Sequence, residues 1–154
     1  DRLAGLADVM PTLLELCNLP VPGPVEGLSL VRSVRRDLLY GEEGEGVLAN
    51  RMIHDGRHKL IYYAAGSRTQ LFDLQNDLLE QEDLSGSQRY REVRERLTAA
   101  LRERLYGSDR EWFDRERMVG LPEPELDRTP PAGLAGQRGT HWPPPPPRGA
   151  PVEV

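Results

Sequence analysis

Few residues in this chain have side chains that do covalent or acid–base chemistry. There is one cysteine, Cys17, and there are three histidines, His54, His58 and His141. A reactive thiol needs a lowered pKa, normally from a helix N-terminus or a neighbouring cation. Cys17 closes an apolar helical stretch, where the helix dipole has the wrong sign. It therefore reads as a small buried hydrophobe. His54 and His58 flank a tight turn and could approach one another, but no third ligand of suitable type is near in sequence, so a metal centre is not implied. They read as exposed turn residues. Arg51, His54, Arg57, His58 and Lys59 crowd one short stretch, a composition that could face an anion or simply form the polar face of a half-exposed hairpin. Glu42, Glu43 and Glu45 lack calcium-loop spacing and read as a solvated loop. His141-Trp142 precedes a run of five prolines, Pro143 to Pro147. Both side chains do better with a partner, so that segment is expected to dock. No phosphate-cradling glycine loop, G-x-S-x-G, H-E-x-x-H or C-x-x-C occurs. No catalytic residue and no metal ligand is assigned.

The elements that must position these residues follow from periodicity. Asp8 is an N-cap candidate for a helix running to Cys17, with Pro11 in its first turn and Val9, Met10, Leu13 and Leu14 at helical spacing. Asn18 and the prolines at 20, 22 and 24 end it. A short helix or turn is expected over Leu28 to Val34, and Gly41 to Gly46 reads as an acidic loop. Val47 to His54 reads as a strand, and Asp55-Gly56 as a type I′ turn. His58 to Tyr63 reads as the return strand and Gln70 to Leu74 as a third. Ser85 and Gln88 have capping-box spacing, with Ser87 an alternative N-cap. The helix that follows buries Tyr90, Val93, Leu97, Ala100, Leu101 and Leu105 and ends at Gly107. The fold class expected is α+β: an antiparallel β-meander packed on a long C-terminal helix, with a Pro-rich tail.

Bulk properties bound the partners. The chain has 154 residues, enough for one domain, but is lean in hydrophobic residues at 38%. Its formal net charge is -5, so no global positive field draws it to nucleic acid or anionic lipid. No apolar run reaches the roughly 18 residues that span a bilayer. Ten of the 14 prolines lie in residues 120–154. That stretch is either a solvated tail or an extended arm, and its polyproline run could serve an SH3-type groove. The chain opens at Asp1 directly into an amphipathic segment, as a piece of something longer would.

Two ordered stretches resemble the sulfatase family. Asp8-Val9-Met10-Pro11-Thr12-Leu13-Leu14, then Leu19-Pro20 and Glu26-Gly27-Leu28-Ser29-Leu30, is similar to that family's D-hydrophobic-x-P-T-L-L, Pro-rich loop and G-x-S-L. Arg51 to Tyr63, followed by Gln70-Leu71-Phe72-Asp73-Leu74-Gln75-Asn76-Asp77, resembles its C-terminal hairpin, R-x-G-x-x-K-hydrophobic-I-x-Y, and L-F-D-L-x-x-D. The likeness covers residues 1 to about 106 and is nearest to arylsulfatase and N-sulfoglucosamine-sulfohydrolase members.

The resemblance implies an alkaline-phosphatase-like fold whose smaller C-terminal subdomain is a four-stranded antiparallel sheet on a long helix. It implies sulfate-ester substrates, a formylglycine nucleophile matured from C-x-P-S-R, and a divalent cation, usually calcium, held by Asp and Asn of the large domain. Cys17 is followed by Asn18-Leu19-Pro20 and does not match the nucleophile motif. The large-domain ligands have no counterparts here, so the N-terminal catalytic domain is expected to be missing from the sequence given. On this reading residues 1–40 end the catalytic domain, 41–119 form the C-terminal subdomain and 120–154 the Pro-rich tail. Arg57, His58, His141 and Trp142 become candidates for the rim of the substrate cleft. The residues assign no compartment, and the resemblance admits a periplasmic or secreted one. Two other readings stay open: a non-catalytic α+β interaction module with a polyproline arm, and the tail of a related phosphodiesterase or phosphonate hydrolase.

Overall fold

A computed structural model describes residues 2–124. His141, Trp142 and the polyproline run lie outside the described residues. The centre is a four-stranded antiparallel meander in the order β1 (Leu39–Glu43), β2 (Asn50–His54), β3 (His58–Tyr63) and β4 (Arg68–Asp73). Strand alternation puts Ile53, Leu60, Tyr62 and Leu71 on one face, all fully buried. Helix α2 (Arg91–Arg102) covers that face with Leu97 and Leu101, and Leu105 continues the stripe beyond the helical turns. Trp112 closes one end of this core, its ring centroid 5.9 Å from that of Tyr62. The chain then doubles back through β5 (Phe113–Asp114) and β6 (Arg117–Met118), and Leu121 exchanges main-chain hydrogen bonds with Ala64 and Gly66. The α+β class and the apolar face of the helix are as the pattern predicts.

Several expectations need correction. Residues 41–46 are not simply a loop, because Leu39–Glu43 is an edge strand in full register with β2. Only Leu39 and Tyr40 are apolar there, too few to show alternation. The second strand begins at Asn50 rather than Val47, after a 3-10 turn over Gly46–Leu48. The hairpin turn is shifted by one residue. Asp55 N–H donates to His58 O at 3.1 Å, so the central pair is Gly56-Arg57. Gly56 takes positive φ, 94°, but Asp55 does not, so the two positive-φ residues that a type I′ turn at Asp55-Gly56 requires are not present. The Asp55 carboxylate accepts from the amides of Arg57 (2.9 Å) and His58 (2.6 Å), which favours this arrangement over the I′ turn.

The Ser85/Gln88 capping box does not form. Asp83 takes the Ser85 and Leu71 amides instead, and Ser87 precedes a 3-10 turn without a side-chain cap. Helix α1 is Val9–Leu16, and Asn18, at φ 58°, terminates it. Asp8 caps no amide of that helix. Cys17 is exposed, not a core thiol, because nothing among the described residues covers the stripe of α1 on which Leu13 (56% exposed) and Leu16 (66%) lie. Of the short helix or turn expected over Leu28 to Val34, the turn forms, at Leu30 and Val31.

Candidate functional site

The cationic stretch from Arg51 to Lys59 does not stay together. Alternation sends Arg51 and His58 to the face covered by α2, and His54 and Lys59 to the other. Buried Arg51 donates to Asp109 at 2.7 Å and to the carbonyls of Glu43, Gly44 and Asn50, and it stacks 5.1 Å from the Trp112 ring. It bolts the β1–β2 connection to the segment after α2. The partner, 58 positions away, left no local signal in the sequence. Lys59 pairs with Glu80 beside the Phe72 ring. The two histidine rings do not converge, and His54 Nδ1 contacts the His58 carbonyl oxygen at 3.0 Å.

His58 is buried, not an exposed turn residue. It lies on the same face of β3 as Leu60 and Tyr62, the face that α2 covers. Its Nδ1 lies 3.6 Å from Asp55 and its Nε2 3.9 Å from Asp73, with Tyr90 edge-on at 6.0 Å. Arg57 makes a two-pronged contact with Asp73, Nε at 3.1 Å and Nη2 at 2.7 Å. Asp73 also accepts from the Gln75 amide and the Asn76 side chain. Its carboxyl is held well below the usual range, chiefly by Arg57. Burial opposes ionisation of Asp55, but the Arg96 guanidinium and the His58 and Arg57 amides outweigh it and hold the carboxyl at about 2. Arg57 and His58 thus sit together in a clamp that ties the hairpin tip to the exit of β4.

A second clamp involves Asp8, whose carboxylate is fully buried. It accepts from the amides of Gly5 (2.8 Å) and Leu28 (2.7 Å) and pairs with Arg36. Burial works against its charge, but those amides and Arg36 lower the pKa overall. Thr12 links the same parts, donating to the Asp8 carbonyl at 2.6 Å and accepting the Leu30 amide at 2.9 Å. Gly27 is fixed by space: a Cβ there would sit 1.9 Å from the Ala7 carbonyl oxygen. The D-x-x-P-T and G-x-S-L stretches are therefore two halves of one contact.

The arrangement locks loops together. Among the described residues no group of three His, Cys, Asp or Glu side chains is placed to hold a metal ion.

No protein-family model matches the chain. An arylsulfatase of Clostridium perfringens (strain 13 / Type A) is 32% identical over 129 residues, covering 79% of this chain and 27% of that protein. In structure, a 2-O GAG sulfatase superposes with a TM-score of 0.57 at 24% identity, over 62% of this chain and 23% of its own. The phosphonate monoester hydrolase of Agrobacterium radiobacter gives 0.53 at 21% identity, over 74% of this chain and 28% of its own. These two likenesses show a shared fold. The chain spans about a quarter of the curated relative, 27% of its length. The clamps account for both stretches that carry the sequence likeness, and over most of its length this chain is related to the sulfatase family.

Proposed function

We propose that these residues are the C-terminal part of a sulfuric ester hydrolase, in which the segment before β1 closes the catalytic domain and the sheet with α2 forms the subdomain packed beside it, the expected boundary at 40/41 moving to the start of β1 at Leu39. The observation that carries the reading is the 32% identity to an arylsulfatase over 79% of the chain. The formylglycine-bearing nucleophile and the calcium ligands would come from the part of the parent outside this chain. The exposed leucines of α1 support the same division, as a surface suited to covering by that part. Within the parent, Arg57, His58, His141 and Trp142 would help to shape the rim of the substrate cleft. For Arg57 and His58 this would work by setting the position of the Gly56-Arg57 turn, since Asp73 holds both.

A phosphonate monoester hydrolase is the second reading, favoured by the fold likeness over 74% of the chain. One assay separates the readings. The complete enzyme is offered an aryl sulfate and an aryl phosphonate monoester under the same conditions. Higher kcat/KM on the sulfate is expected, and the reverse preference replaces the first reading by the second. The 154-residue chain is expected to turn over neither ester. In the complete enzyme, replacing Arg57, His58, His141 or Trp142 is expected to change KM more than kcat, and unchanged kinetics would remove them from the cleft.

A further inference from the structure

An open pocket of about 350 Å³ beside the tip of the β2–β3 hairpin is lined by a residue of each clamp, Arg36 and Asp55, together with Arg2, Arg35, Asp37 and His54. Its charges do not cancel. Arg36 is matched by Asp8, and Asp55 by Arg96. Arg2 is bound only to dipoles: Nη1 donates to the carbonyls of Leu30 and Arg32, and Nη2 to those of Ser29 and Val34, at 2.6–3.0 Å. Four carbonyls use its terminal N–H groups and immobilise the guanidinium without neutralising it. Exposed Arg35 has no carboxylate within ion-pair distance among the described residues. Against these two cations stands Asp37, the one lining carboxylate without a cation partner among the described residues.

A rigid positive centre beside an unengaged guanidinium suits an oxyanion, because Arg presents planar paired donors and is less strongly hydrated than an ammonium group. We propose that this pocket binds a sulfate-type oxyanion, held by the Arg35 guanidinium in the field of Arg2, with His54 on the pocket wall. The choice of sulfate rests on the sulfatase reading. The binding itself needs no turnover. The anion is either free sulfate or the sulfate group of an ester.

The test titrates the 154-residue chain with sodium sulfate and, separately, with sodium methyl sulfate, at fixed ionic strength set with chloride. Backbone amide shifts of Arg35, Arg36, His54 and Gly56 are followed. Saturating shifts confined to these residues are expected, with affinity weakened at least about tenfold in Arg35→Glu, where attraction becomes repulsion. Tighter binding of inorganic sulfate identifies free sulfate as the ligand; tighter binding of methyl sulfate identifies the ester group. Arg35→Ala keeps the comparison available if the charge reversal perturbs folding. Non-saturating shifts, shifts centred elsewhere, or equal affinity in the variants overturn the proposal. A parent without sulfatase activity whose chain still binds sulfate would sink the enzyme reading and leave the pocket. An active sulfatase without the shifts would do the opposite.

Discussion

At the scale of single residues, the side chains that carry the family likeness are structural. Asp8 and Asp73 are both buried carboxylates that gather main-chain or side-chain amides together with one guanidinium. Removing the acceptor is the damaging change, because the donors stay behind without a partner. Asp8→Ala leaves the Gly5 and Leu28 amides and Arg36 unmatched, and a loss of about 3 kcal/mol is expected from urea unfolding. A loss under about 0.5 kcal/mol would show that the clamp is not formed in solution. The same carboxylates set the response to acid. Asp8, Asp55 and Asp73 all have folded pKa values below the ordinary value of about 3.9. A depressed folded pKa gives stability that is complete above the unfolded value and is lost as pH falls through the folded one. The urea midpoint should therefore be flat from about pH 7 to 5 and fall steeply between about pH 4 and 2. Asp55→Asn should flatten that fall, and an unchanged slope would assign the acid sensitivity to other groups.

At the scale of elements, the sheet and α2 form one packing unit. Leu97 is fully buried among Ile53, Leu60 and Leu71 of the core cluster, whereas Leu79 is 77% exposed in the loop after β4. Leu97→Ala should cost about 3 kcal/mol, by lost transfer energy and the cavity left behind. Leu79→Ser should fall within about 0.5 kcal/mol of the parent chain. Equal effects from the two would contradict the packing of α2 on the sheet. What could be read from the sequence follows the same division. The β2, β3 and β4 strands and the stripe of α2 were legible because burial on one face writes period 2 or 3.6 into the residues. The edge strand β1 was not, since an edge is half solvated and Glu42 and Glu43 are tolerated there. The turn was misplaced by one residue because Asp55-Gly56 satisfies a local I′ preference. The Asp55 side chain, bonding to amides two and three residues on, decides for the other turn. The Arg51–Asp109 and Asp8–Arg36 pairs join positions far apart in the chain and had no local signature. The Arg2 contact with four carbonyls was hidden for the same reason.

At the scale of the whole molecule, the two parts of the described chain differ in how they use apolar residues. The sheet and α2 bury theirs against each other, while α1 and the segments around it keep Leu6, Leu13, Leu16 and Leu19 more than half exposed. α1 has 8 residues, too short to be helical in isolation, so the Asp8 clamp and tertiary cover must hold it. Each leucine that a covering surface removed from water would contribute roughly 1.5–3 kcal/mol. On the proposed reading, a preceding part of the parent enzyme would be that cover. In the isolated chain the stripe is left to water, to dye or to a second copy. The isolated chain should therefore bind an apolar dye and self-associate in sedimentation runs as concentration rises. Leu13→Glu with Leu16→Glu should abolish both effects and leave sheet stability within about 1 kcal/mol, because neither residue belongs to the sheet core. The same pair in the complete enzyme should destabilise it, by placing two charges in a buried contact. A complete enzyme of unchanged stability would mean that α1 lies on the outer surface of the parent and that its apolar stripe serves another partner.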